Sequence, residues 1–154
     1  MKAVLVQPPI FWTTTPPLGP AYLADELLAA GNEVRLLDFN IELYPADRKS
    51  YGTVEALASE FGHTSPLRQQ PLAELPNLLR WSKPHEWAIL IRLVENWAAA
   101  ILAEEPDLVG LSLHEGSLLA CLLLAWQVRR QCGPKPLLIA GGLRPCFCRP
   151  ILGR

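Results

Sequence analysis

Four short apolar runs rich in Val, Leu and Ile recur along this chain, with stretches of helical spacing between them. Lys2–Val6 ends at Gln7-Pro8-Pro9, and Glu33–Leu37 ends at Asp38. Asp107–Leu113 runs into His114, and Pro136–Ala140 ends at Gly141-Gly142. Runs that stay apolar instead of alternating are what strands covered on both faces look like, and such strands belong to parallel sheets. Between the first two lies Leu18 to Ala30, with Leu18, Tyr22, Leu23, Leu27 and Ala30 near helical spacing and Gly31-Asn32 as a C-cap. Strand, helix and strand within some forty residues make a βαβ unit with a right-handed crossover.

Two further helices fit the same scheme. Glu86 to Glu105 carries Trp87, Leu90, Ile91, Val94, Ala98 and Ile101 on one stripe, and Pro106 stops it. Ser117 to Cys132 has an apolar body and a basic exit at Arg129 and Arg130, favourable at the negative end of the helix. The expected fold is α/β, a Rossmann-like (flavodoxin-like) parallel sheet of order 2-1-3-4. It occupies residues 1–142, with 40–84, which holds scattered prolines and short helical fragments such as Val54 to Phe61, read as an irregular insertion over one edge. Residues 143–154 form an aperiodic tail where another helix and strand would be expected. The domain therefore reads as truncated after its fourth strand, which is then an edge in need of cover.

With 154 residues the chain suits one domain with a real core. A net charge of −1 offers no electrostatic footprint for nucleic acid or an anionic membrane surface. The longest apolar run, Leu118 to Trp126, is nine residues, too short for a membrane span. With no cleavage site after Met1-Lys2, a cytoplasmic location is expected. Cys121 and Cys132 read as packing residues, and the Cys146-x-Cys148 pair as a weak metal signal without a second ligand pair or, more plainly, as free thiols in the tail.

In an open parallel sheet, ligands bind beyond the carboxyl ends of the strands where strand order reverses. For order 2-1-3-4 that crevice lies between the first and third strands. Gln7-Pro8-Pro9, Ser112 to Ser117 and Gly141-Gly142 converge on it. Gly110 permits close approach or is a tolerated weak point. Gly141 and Gly142 admit a flat ligand or make a plain turn. Ser117 is a competent N-cap, and His114 and Glu115 either contact a ligand or are solvated. There is no Gly-x-Gly-x-x-Gly and no Walker sequence, so phosphate-cradling amides after the first strand are not expected.

Together, Val4-Leu5-Val6-Gln7-Pro8-Pro9, Pro17-Leu18-Gly19-Pro20-Ala21-Tyr22-Leu23-Ala24 and Ala30-Gly31-Asn32-Glu33-Val34 resemble the start of cobalamin (B12)-binding radical SAM proteins. Asp38-Phe39-Asn40-Ile41-Glu42-Leu43 continues the resemblance, as does Pro106-Asp107-Leu108-Val109-Gly110-Leu111-Ser112 followed by Gly141-Gly142. The resemblance implies a metal-carrying cofactor, cobalamin, held by Pro9, Leu18, Gly19, Ser112, His114, Glu115, Ser117, Gly141 and Gly142. It further implies a radical SAM catalytic domain or partner chain. Gln7-Pro8-Pro9 stands where methyltransferase-type domains carry Asp-x-His-x-x-Gly, so cobalamin is expected base-off and without a histidine ligand. No chain residue is expected to bind metal. The Cys-x-x-x-Cys-x-x-Cys of the iron–sulfur cluster is absent, so no cluster, no catalytic residue and no radical reaction are expected of this chain alone. The rival expectation is a vestigial or protein-interaction module that keeps the fold and binds no cofactor, favoured by the short tail and by Leu113 in place of a small residue. A small enzyme acting through His114 and Glu115 is a third, without an evident nucleophile.

Overall fold

The computed structural model describes residues 1–15, 17–63 and 83–142. Four strands, β1 (Lys2–Gln7), β2 (Glu33–Asp38), β3 (Leu108–Leu113) and β4 (Leu137–Gly142), form one all-parallel sheet in the order β2-β1-β3-β4. The Rossmann-like architecture and strand order are those the sequence predicts. Among the described residues five helices connect them: α1 (Leu18–Ala29), α2 (Phe39–Ala46), α3 (Arg48–His63), α4 (Pro84–Ala103) and α5 (Leu118–Cys132). None of these helices is long and apolar enough to cross a membrane.

The reading of 40–84 as irregular is corrected over its first part, where α2 and α3 are regular helices. Residues 64–82 lie outside the described part. Asp38, the last residue of β2, accepts the amides of Asn40 and Ile41 at 3.1 and 3.0 Å and so caps α2. Pro45 falls in the last turn of α2, where the next helix takes over. Asp47 starts α3 by accepting the Ser50 amide at 3.0 Å and its hydroxyl at 2.6 Å. The Ser50 hydroxyl, chiefly, holds the Asp47 carboxyl below the ordinary carboxylate range.

The two faces of the sheet are unequally covered. Val4, Val6, Val109, Leu111 and Leu113 point to one face and join a single buried cluster with Phe39, Phe61, Trp87, Val94, Ile101 and the body of α5. Helices α2 to α5 supply that layer, and α5 buries residues nearly all round. Among the described residues, α1 is the only helix on the opposite face. Only Pro20 of α1 is fully buried, with Ala24 and Leu27 half-buried beside it, while Leu18, Tyr22, Leu23 and Leu28 are exposed. Asn32 closes α1 by donating to the Leu27 carbonyl through both its backbone and side-chain amides.

Charge gathers at the amino end of the strands. Lys2 meets Glu33 at 3.4 Å and Glu104 at 3.1 Å, and Arg35 meets Glu104 at 3.4 Å. Exposed pairs of this kind contribute little to stability. They do leave the carboxyl end without these charges.

Candidate functional site

At the carboxyl end of the sheet, the β1–α1 loop, the β3–α5 turn and the end of β4 converge. The loop is held from α2 and α3. The Phe11 amide donates to Asn40 Oδ1 at 2.9 Å, and the Tyr51 hydroxyl lies 3.1 Å from that oxygen and from the Phe11 carbonyl. Loop and turn touch where the Ile10 amide donates to the Gly116 carbonyl at 3.4 Å. A Cβ at 116 would come 2.9 Å from the Ile10 carbonyl oxygen, so glycine is what permits this approach.

Ser117 does something other than the N-cap role its position suggests. Its side chain caps no amide of α5. Instead Oγ accepts the His114 amide at 2.9 Å and lies 3.4 Å from the Ser112 and His114 carbonyls. The thiol of buried Cys121 points at the same Ser112 carbonyl, 3.4 Å away. These bonds fix the turn, and with it the direction of His114.

Between these segments and α1 lies a cleft of about 500 Å³. Phe11 and Trp12 wall it from the loop, Leu18, Gly19 and Leu23 from α1, Gly110 and Ser112 from β3, and Ile139, Gly141 and Gly142 from β4. Among the described residues no Lys, Arg, Asp or Glu lines it, and His114 is the only lining residue with a group that titrates near neutral pH. The His114 ring lies against Phe11, with centroids 4.4 Å apart, and Nε2 is 3.4 Å from Ser112 Oγ. Burial holds this imidazole below its ordinary value of 6.5. The linkage has a definite sign. As pH falls below 6.5 the unfolded chain takes up a proton that the folded chain resists, so stability is lost toward the lower folded value. The native chain should therefore lose more thermal stability than His114→Gln as pH falls below 6.5, and the two should run parallel above that. Melting curves across this range check it.

The structure brings six of the nine expected site residues into this cleft: Leu18, Gly19, Ser112, His114, Gly141 and Gly142. The other three do not line it. Pro9 is buried at the root of the loop, Ser117 is buried under the turn, and Glu115 is exposed on it. Sequence reasoning missed the Phe11–Trp12 wall and the Asn40–Tyr51 brace behind it. Two adjacent aromatics in a Thr- and Pro-rich loop were the available signal. Among the described residues no group of three or more His, Cys, Asp or Glu could hold a metal ion, and Cys146 and Cys148 lie outside them.

Neither a family model, nor a curated protein, nor a solved structure matches this chain.

Proposed function

We propose that this chain is a cobalamin-binding module that presents its cofactor to a radical SAM catalytic domain or partner chain. One observation carries the reading: the cleft forms where Ser112 and Gly141-Gly142 meet the Pro17-Leu18-Gly19 element, the segments on which the resemblance rests. Its volume falls within the roughly 300–1,000 Å³ typical of small-molecule sites, and suits a nucleoside-sized group rather than a whole cobalamin. The residues present fit the nucleotide tail. A Cβ at Gly141 would have nothing within 4 Å, so that glycine leaves open space beside the strand. The apolar walls suit an uncharged aromatic base, and Ser112 Oγ and His114 Nε2 supply polar contacts.

In this reading Gly141, Gly110 and Ile139 make the floor, Leu18 and Leu23 the side, and Phe11 and Trp12 the opposite wall. Bound cobalamin supplies the organometallic chemistry, while the chain binds and orients it. His114 braces against Phe11 and serves the tail, not the cobalt. The test is retention: purified chain is mixed with hydroxocobalamin and desalted. Corrin absorbance should elute with the protein at close to one equivalent, and colourless protein at every loading would sink the proposal.

A further inference from the structure

We propose that Asn40 and Tyr51 are the positioning pair of the cleft: from α2 and α3, without lining it, they fix the Phe11 backbone and so set the wall against which the ligand seats. The inference rests on the cofactor reading for the identity of that ligand and for nothing else. A closed ring of bonds carries it. Asn40 Oδ1 accepts the Phe11 amide at 2.9 Å, and the Tyr51 hydroxyl lies 3.1 Å both from that oxygen and from the Phe11 carbonyl. Both backbone polar groups of one loop residue are thus held by side chains of two different helices. With the peptide plane on each side of Phe11 fixed, so is the direction in which its side chain leaves the backbone.

The holders are themselves held. Asn40 is 1% exposed and sits in the first turn of α2, where its amide donates to the Asp38 carboxylate at 3.1 Å. Tyr51 is buried, and its ring meets that of Tyr44 edge-on with centroids 5.0 Å apart. From Phe11 the order passes into the cleft, because its ring lies 4.4 Å from the His114 ring and 6.1 Å from that of Trp12, and all three line the space. A wall set in advance spares the ligand the cost of ordering the loop. Cutting the ring of bonds therefore lowers affinity without removing any ligand contact. Asn40 Nδ2 is buried with no hydrogen-bond partner among the described residues, so Oδ1 does the holding and a carboxylate can replace the amide. Two donors and the amino end of α2 favour a negative charge there.

Two measurements on the full chain test this: hydroxocobalamin affinity, and the titration of the His114 imidazole by NMR, its signal assigned by its absence in His114→Gln. Tyr51→Phe and Asn40→Leu should each weaken binding about tenfold at unchanged far-UV circular dichroism, whereas Asn40→Asp should bind as the native chain does. In the two weakened variants the His114 pKa should rise toward 6.5, because the Phe11 ring no longer covers the imidazole. Both substitutions are neutral, so the rise reports exposure and not a new charge. A purely structural role would lower the melting temperature and leave that titration in place. Native affinity in folded Tyr51→Phe overturns the proposal, as does a loss in Asn40→Asp equal to that in Asn40→Leu, or a titration that stays put. Should Asn40→Leu fail to fold, Tyr51→Phe carries both readouts. If the native chain itself retains no cobalamin, the functional reading falls, and the His114 titration still decides this one.

Discussion

Trp87→Ala should cost about 3–5 kcal/mol of folding stability, a large part of the roughly 5–15 kcal/mol a domain possesses. Trp87 opens α4 and is completely buried in the cluster that unites the sheet with α2 to α5. Removing the indole loses its transfer free energy and leaves a cavity that surrounding helices fill only in part. The contrast lies on the other face. Trp12 is 73% exposed on the loop, and its alanine variant should stay within about 0.5 kcal/mol of the native chain. Urea unfolding monitored by circular dichroism gives both values. Equal effects of the two substitutions would mean that the core is not where the structure puts it.

The second large effect separates two neighbouring glycines. Gly142→Val should lose at least about 3 kcal/mol or fail to fold, whereas Gly141→Val should melt close to the native chain and lose cobalamin. Gly142 has φ +143°, a conformation L side chains rarely adopt, and a Cβ there would collide with the Leu113 carbonyl oxygen on the adjacent strand. Neither the backbone strain nor the clash can be relieved by rotating a side chain. At Gly141 a Cβ meets nothing, and valine suits a strand, so the fold tolerates it. The branched side chain then occupies the space proposed for the nucleotide tail. Thermal melts and cobalamin retention, measured on both variants, decide the matter. Full retention by a folded Gly141→Val would place the ligand elsewhere.

Several features were fixed by chemistry that acts over a few residues. The apolar runs make strands wherever they lie, Pro106 ends α4's stretch of chain, and Asp38 caps α2 from its own position at the end of β2. Arg129 donates to the carbonyls of Gly133, Pro134 and Pro136 just past α5, as its place at a helix carboxyl end leads one to expect. Strand order followed as well, because right-handed crossovers leave few ways to arrange such units. The spacing of Tyr51, Val54, Leu57 and Phe61 already spelled the α3 helix. The prolines around it led the reading to a short fragment at Val54 to Phe61 where the helix runs Arg48–His63.

Other features depend on groups far apart in the chain meeting in space, and no local rule reaches them. The loop wall of the cleft stands because Asn40 and Tyr51, 29 and 40 residues beyond Phe11, bond to it. Ser117 looked like a cap by position, yet it tethers the turn, its hydroxyl bonding the Ser112 and His114 backbone and no amide of α5. Gly141 and Gly142 are alike in sequence and opposite in role, since only the placement of Leu113 beside β4 makes one indispensable to the backbone. The exposed α1 is the clearest case. Its apolar spacing gave a helix, but which of its faces would be buried depended on what else covers that side of the sheet, and local spacing carries no information about a neighbour.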